Sequence, residues 1–167
     1  MKDNANPLVM EPAFAPLQHE PRPTHRILVV EDDGDIRRLN TEVLMNSGYH
    51  VDAAADGAAA WESLCADYYD LMITDNHMPK LTGVELLKKL RSARMALPVI
   101  MATGIMPQEE FKRYPWLQPT ATLVKPYTVE ELLGTVRTVL RATVSDPGQF
   151  EPMPDWRSRP SAKGLRL

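Results

Sequence analysis

The sequence predicts an α/β fold in which a five-stranded parallel sheet is covered by helices on both faces. Short apolar runs of strand length alternate along the chain with segments whose apolar residues recur every three or four positions. This alternation occurs five times. Strict alternation of strands and helices is typical of a parallel sheet, because each helix carries the chain back to begin the next strand in the same direction.

Prolines separate the alternating region from both ends of the sequence. Residues 1–25 contain five prolines, and prolines recur in residues 146–160, where neither helical nor strand periodicity can persist. We therefore expect a Pro-rich tail over residues 1–25, one folded domain over residues 26–143, and a Pro- and Arg-containing tail over residues 144–167. A chain of 167 residues is long enough for one well-packed domain with tails.

The first two strand–helix units are short. Residues 26–30 (RILVV) predict the first strand. The helix that follows has apolar residues on one face: Ile36, Leu39, Val43 and Leu44. Residues 49–55 (YHVDAAA) predict a weaker second strand, and residues 57–67 are rich in helix formers. Cys65, the single cysteine, lies in this second helix and is expected to be a packing residue.

The remaining three units follow the same order. Residues 70–74 (DLMIT) predict the third strand, and the third helix is expected to begin near Thr82. Residues 97–103 (LPVIMAT) and 121–124 (ATLV) predict the last two strands. Between them, three prolines leave room for only a short fourth helix: Pro107, Pro115 and Pro119. The final helix has the clearest periodicity and is expected to end near Thr143.

Composition disfavours several classes of function. A net charge of −3 and a pI of about 5.8 provide no concentrated basic surface for nucleic acid. The sequence contains no apolar run long enough to span a bilayer and no segment with the layout of a secretory signal. A single cysteine permits no intrachain disulfide, which fits a reducing compartment. We therefore expect a cytoplasmic protein that neither binds nucleic acid directly nor inserts into a membrane.

Five polar residues follow the carboxyl ends of the predicted strands: Glu31, Asp32, Asp75, Thr103 and Lys125. Each alone has an ordinary explanation, since acids often begin helices and a lysine is often a solvated surface charge. In a parallel sheet, however, the carboxyl ends of the strands meet at one edge, where ligands bind. Three carboxylates at this edge would repel each other, and a hard divalent cation would offset that repulsion. Oxygen ligands favour Mg²⁺ over zinc.

The same residues belong to four short motifs: V-V-E-D-D at 29–33, D-N-H-M-P-K-L-T-G at 75–83, A-T-G at 102–104 and K-P at 125–126. In this order and spacing, residues 26–142 resemble the receiver domain of bacterial two-component response regulators, in its single-domain, chemotaxis-receiver-like form. The resemblance implies a flavodoxin-like, doubly wound sheet with strand order 2-1-3-4-5.

The resemblance also implies a magnesium site and a phosphoacceptor. Asp75 would accept the phosphoryl group and contribute to the metal site. Asp32 would bind Mg²⁺ directly, Glu31 would bind it through water, and the backbone carbonyl of His77 would be a further ligand. The His77 side chain could equally be a solvent-facing loop residue. Asp33 fits better as the acid that begins the first helix.

Two further residues would contact the transferring phosphoryl group. Lys125 would pair with one phosphoryl oxygen, and Thr103 would hydrogen-bond another. The Lys125–Pro126 bond is a candidate cis peptide that would direct the amine towards Asp75. Such a protein would modify only itself, so no turnover of an external substrate is expected.

The partners implied by the resemblance are a sensor histidine kinase or a histidine phosphotransfer protein, and a downstream protein target. The chain would be a monomer or a weak homodimer. No output domain is expected in the residues after the last helix. The sequence has two alternative interpretations: a pseudo-receiver that works without phosphorylation, and a phosphatase of the haloacid dehalogenase type. The phosphatase needs a second aspartate two residues after the nucleophile, where this chain has His77.

The chain departs from the receiver pattern at three places. Thr122 occupies a position where receivers commonly have an aromatic residue, which predicts a switching route that differs from the family's usual one. The short fourth helix implies a reshaped surface beside it. Ile105 is apolar, which predicts slow hydrolysis of the phosphorylated form. In the C-terminal tail, Trp156 could anchor a docking peptide, although a loosely packed tail is the simpler expectation.

Overall fold

A computed structural model describes residues 25–145, with side chains described for residues 25–143. The predicted N-terminal tail, nearly all of the predicted C-terminal tail, and Trp156 lie outside the described residues. Within residues 25–145, no helix is both long enough and apolar enough to cross a membrane.

Five parallel strands form one sheet in the order β2-β1-β3-β4-β5, which confirms the predicted fold class and strand order. The strands are β1 (Arg26–Val30), β2 (His50–Ala54), β3 (Leu71–Thr74), β4 (Val99–Thr103) and β5 (Ala121–Val124). The helices are α1 (Gly34–Asn46), α2 (Gly57–Ala66), α3 (Gly83–Ser92), α4 (Gln108–Arg113) and α5 (Val129–Ser145), with a 3-10 turn at Pro115–Leu117.

The sheet is apolar on both faces, as expected for a parallel sheet between two layers of helices. On one face, alternate strand residues pack against α1 and α5, forming a cluster that includes Ile27, Ile73, Ile100, Leu44 and Val136. On the other face, the intervening strand residues pack against α2, α3 and the 3-10 turn, forming a cluster that includes Leu28, Met72, Met101, Leu87 and Leu117. The central strands β1, β3 and β4 are therefore almost completely buried.

Side-chain caps begin four of the helices close to the carboxyl edge of the sheet, and one of them is the reciprocal pair of Thr128 and Glu131 at the start of α5. The Asp33 carboxylate accepts hydrogen bonds from the backbone N–H groups of Asp35 and Ile36, as predicted for the start of α1. Asp56 caps α2 in the same way. Thr82 and Glu85 form a capping box at the start of α3. These caps satisfy free backbone N–H groups in the first turns of the helices, so each helix can begin close to the edge of the sheet.

The fourth helix is short, as the prolines predict. α4 has only six residues, Pro107 occupies its N-cap position without a side-chain cap, and Pro115 begins the 3-10 turn. The outer edge strand β5 is correspondingly open, with Val124 58% exposed. α5 reaches Ser145, the last residue that the structure describes, which is two residues beyond its predicted end near Thr143.

Gly134 lies inside α5, and a Cβ atom added there would meet no atom within 4 Å. Alanine loses less conformational entropy than glycine when it joins a helix. We therefore expect Gly134→Ala to stabilise the protein by about 0.5–1 kcal/mol. The midpoint of urea unfolding should rise with an unchanged slope; a lower midpoint would show that the space beside Gly134 is not open in solution.

Candidate functional site

The register of the sheet brings the predicted site residues to one edge. Val30 of β1 pairs with Thr74 of β3, so Glu31 and Asp75 follow neighbouring strands at the same level. The Asp75 backbone N–H donates to the Val30 carbonyl over 3.0 Å, which extends the pairing to Asp75 itself. Because parallel strands end at the same edge, three carboxylates from two loops meet there.

Those carboxylates belong to Glu31, Asp32 and Asp75. One oxygen from each lies within 4.8 Å of the others. Glu31 and Asp75 are buried, at 3% and 8% exposure, whereas Asp32 is exposed. The group offers oxygen ligands in a partly open crevice, which is the donor set that Mg²⁺ prefers. The acidic cluster is therefore chemically suited to a hard divalent cation.

Lys125 bridges the two buried carboxylates. Its Nζ atom lies 2.7 Å from Glu31 Oε2 and 2.8 Å from Asp75 Oδ2. Burial raises the pKa of the Glu31 carboxyl above its ordinary value, and the hydrogen bond from Lys125 only partly opposes that shift. Burial lowers the pKa of the Lys125 amine, but its hydrogen bonds to Asp75 and Glu31 outweigh burial and raise that pKa overall. The amine therefore stays charged between the two acids.

The position of Lys125 follows from its strand. Thr103 pairs with Val124 across β4 and β5, and the Lys125 backbone N–H donates to the Thr103 carbonyl over 3.0 Å. The Lys125–Pro126 bond is cis. Beyond it, the hydroxyl oxygen of Tyr127 accepts a hydrogen bond from the buried Asn40 amide over 2.9 Å, which ties the loop to α1. Burial raises the pKa of the Tyr127 hydroxyl.

Backbone N–H groups hold the second carboxylate oxygen of Asp75. Asp75 Oδ1 accepts hydrogen bonds from the N–H groups of Asn76 and His77, the latter over 3.1 Å. With Lys125 on Oδ2, both oxygens of the carboxylate are oriented. Two backbone amides and one ammonium group therefore hold the Asp75 carboxylate in a fixed orientation.

Thr103 is fully buried, and its hydroxyl donates to the Ile105 carbonyl over 3.1 Å. The Nδ1 atom of His77 lies 3.4 Å from the same hydroxyl oxygen. The His77 side chain is exposed, as its loop position suggested. It also lies beside Thr103. The structure brings Glu31, Asp32, Asp75 and Lys125 together directly, and His77 connects Thr103 to them.

The loop after Asp75 is held by contacts that the sequence analysis did not identify. The Asn76 side-chain oxygen accepts from the Val84 N–H over 3.1 Å. Lys80 forms an ion pair with the α2 cap Asp56, with 2.6 Å between Nζ and Oδ2. A Cβ atom at Gly83 would overlap the carbonyl oxygen of Asp75. A glycine is therefore required at position 83, because the α3 backbone approaches the Asp75 backbone too closely for a side chain.

Arg37 holds the loop that carries the other two acids, and it was also missed. Its Nη1 atom donates to the backbone carbonyls of Glu31 and Asp32, over 2.6 and 3.1 Å. Arg37 lies in the first turn and a half of α1, where a basic residue looks like an ordinary surface charge in sequence. Its spacing of five and six residues from the two acids is compatible with a loop clamp but does not predict one.

Comparisons with known proteins give one consistent family. Residues 27–137 match the family model described as the response regulator receiver domain. Response regulator MprA of Mycolicibacterium vanbaalenii is 38% identical over 128 residues, which cover 75% of this chain and 54% of the relative. MprA of Mycobacterium leprae is 37% identical over 123 residues, covering 72% and 53%. The chain thus spans about half the length of these relatives.

Solved structures agree with this match. Chemotaxis response regulator CheY4 of Vibrio cholerae is 33% identical, with a TM-score of 0.63 over 70% of this chain and 98% of that one. Response regulator TrrA of Thermotoga maritima, solved in complex with Mg²⁺-BeF, is 30% identical, with a TM-score of 0.61 over 70% and 99%. Both similarities extend over nearly the whole length of the solved chain.

Proposed function

Because this chain belongs to the response regulator receiver domain family, we propose that Asp75 accepts a phosphoryl group from a phosphohistidine of a partner protein, in a Mg²⁺-dependent reaction in the cytoplasm. The observation that carries this proposal is the bridge from Lys125 to both Glu31 and Asp75 inside the acidic cluster. That bridge places a nucleophilic carboxylate, a cation and metal-compatible oxygens in one crevice.

The phosphoryl transfer follows from the orientation of Asp75. One carboxylate oxygen attacks phosphorus, the P–N bond of the phosphohistidine breaks, and its electron pair stays on the imidazole nitrogen. Lys125 then pairs with one phosphoryl oxygen, and the Thr103 hydroxyl leaves the Ile105 carbonyl to donate to another. Catalysis consists of positioning and charge neutralisation, with bond formation at Asp75 alone.

A bound Mg²⁺ would supply positive charge that offsets the phosphoryl oxygens and the carboxylates during transfer. Glu31, Asp32 and Asp75 would hold it, and the family resemblance adds the His77 backbone carbonyl as a further ligand. Arg37 supports these ligands indirectly, because it fixes the backbone on which Glu31 and Asp32 lie.

Phosphorylation would act as a signal by shifting the protein between two conformations that offer different surfaces to a protein target. The donor would be a sensor histidine kinase or a histidine phosphotransfer protein. The chain would modify only itself and would turn over no external substrate. Thr122, in place of an aromatic residue, implies that the Thr103 movement reaches the surface by another route.

Phosphoramidate tests this function, because it carries the same P–N bond as phosphohistidine. The full-length protein should gain the mass of one phosphoryl group with Mg²⁺ and phosphoramidate, and excess EDTA should prevent the gain. Mass gain that persists in EDTA would contradict a metal-dependent site. If neither phosphoramidate nor acetyl phosphate modifies the protein, the pseudo-receiver function is supported instead.

Hydrolysis of the phosphorylated protein should depend on Ile105, whose side chain is 71% exposed and whose carbonyl binds Thr103. We expect Ile105→Glu to shorten the half-life of the phosphorylated form roughly two- to fivefold, because a carboxylate there can hydrogen-bond and orient an attacking water. The half-life is measured by intact mass after removal of the phosphodonor, with Ile105→Leu as the apolar control. Equal half-lives for both variants would exclude this role.

A further inference from the structure

An open groove runs between the edge strand β5 and one side of α5, on the rim of the molecule. Its volume is about 780 Å³. We call it the β5–α5 groove, and its lining residues from α5 are Glu131, Gly134, Thr135, Thr138, Val139 and Ala142.

Two features make this groove suitable for an extended chain segment. β5 is an edge strand, so one side of its backbone has no neighbouring strand in residues 25–145. Thr122 and Val124, which line the groove, have exposed side chains, and Leu123 between them packs towards α5. On the α5 side, small residues such as Gly134 and Ala142 leave depth for larger side chains from a ligand.

We propose that residues 150–156 of this same chain bind in the β5–α5 groove. Ser145, the last described residue of α5, lies only three residues after Ala142, which lines one end of the groove. The next residues are Asp146, Pro147 and Gly148, a combination that favours a turn. The segment can therefore reverse direction immediately after α5 and run back along it. This inference does not depend on phosphorylation of Asp75.

The spacing of apolar residues in this segment fits the groove. Pro152 and Pro154 favour the polyproline II conformation, which has three residues per turn. The side chains three residues apart therefore point the same way, and these are Phe150, Met153 and Trp156. Polyproline II rises about 3.1 Å per residue, so the three anchors span about 19 Å. The α5 stretch from Glu131 to Ala142 spans about 17 Å at 1.5 Å per residue.

Charge fits the same antiparallel direction. Running back along α5, the segment would bring Trp156 to the start of the helix, where Tyr127 and Glu131 line the groove. Glu130 and Glu131 both lie in the first turn of α5. Arg157 and Arg159 follow Trp156 directly in sequence. The anchor would thus meet an aromatic ring, and the arginines would meet two carboxylates.

Disulfide trapping in the full-length chain tests this contact. Cys65, the single native cysteine, is replaced by serine. Thr138→Cys is combined with Met153→Cys, and the control pair combines Met153→Cys with Glu62→Cys, an exposed position of α2 on the opposite side of the sheet. A seated segment should make the Thr138 pair cross-link within one chain at least about tenfold faster than the control pair.

Two additional variants separate binding from chance encounters. Trp156→Ala removes the aromatic anchor proposed to lie at the start of α5, and Gly134→Leu fills the groove at a position with open space. Each should lower the cross-linking rate of the Thr138 pair to that of the control pair, with unchanged circular dichroism. Equal rates for the two cysteine pairs would overturn the inference. Cross-links that form only between chains would assign the groove to a second copy and would overturn it equally.

Discussion

Lys125→Met is expected to slow phosphorylation of the protein by acetyl phosphate by at least about a hundredfold. Lys125 Nζ lies within 2.8 Å of both Glu31 Oε2 and Asp75 Oδ2. Methionine keeps much of the length and apolar volume of lysine but has no charge. The variant therefore loses the cation that separates two buried acids and that would pair with the incoming phosphoryl oxygens.

The same variant should remain folded, which makes the loss of rate informative. Mg²⁺ should also stabilise Lys125→Met more than it stabilises the wild type, because repulsion between carboxylates is then relieved by the metal alone. Lys112→Met is the matched control, since the Lys112 side chain is 69% exposed and pairs with Glu109 on the α4 surface. A Lys125→Met protein phosphorylated within about threefold of wild type would show that the amine does not act in the transfer.

Gly83→Ala is expected to destabilise the protein by about 2–3 kcal/mol, because the new methyl group would overlap the carbonyl oxygen of Asp75 and crowd Asn76. The backbone at the start of α3 and the backbone at Asp75 and Asn76 must then move apart. The displaced strand end carries the acceptor carboxylate, so phosphorylation should slow as well. Urea unfolding measures the first effect, and intact mass after incubation with acetyl phosphate measures the second.

Gly134→Ala is the matched control for Gly83→Ala, since it adds the same methyl group to a helix where nothing lies within 4 Å. The two variants should change stability in opposite directions. If Gly83→Ala unfolds at the wild-type urea concentration and is phosphorylated at the wild-type rate, then α3 does not approach the acceptor as closely as the structure shows.

Most of the fold could be predicted from sequence because each element carries its own local pattern. Apolar runs located all five strands to within two residues at each end, and prolines predicted the short α4. The order of the strands in the sheet could not be predicted from such local patterns. Parallel strands pair through backbone atoms, and their buried faces read as similar apolar runs, so order 2-1-3-4-5 came from the family resemblance.

Part of the site could be predicted, because parallel strands end at the same edge of the sheet. That rule selected Glu31, Asp75 and Lys125, which the structure places in direct contact. The contacts of Arg37 and Gly83 were not predictable, because they depend on how closely a loop carbonyl approaches a neighbouring helix. A basic residue and a glycine carry no sequence pattern that reports such distances.

The measurement that tests the central claim most directly is the intact mass of the full-length protein and its Asp75→Ala variant after incubation with Mg²⁺ and acetyl phosphate, followed by peptide mapping. Asp35→Ala, at an exposed acid in the first turn of α1, is the control. The wild type and Asp35→Ala should each gain one phosphoryl group, mapped to Asp75, and Asp75→Ala should gain none. An equal gain in Asp75→Ala, or a phosphoryl group mapped to another residue of the wild type, would contradict the assignment of Asp75 as the acceptor.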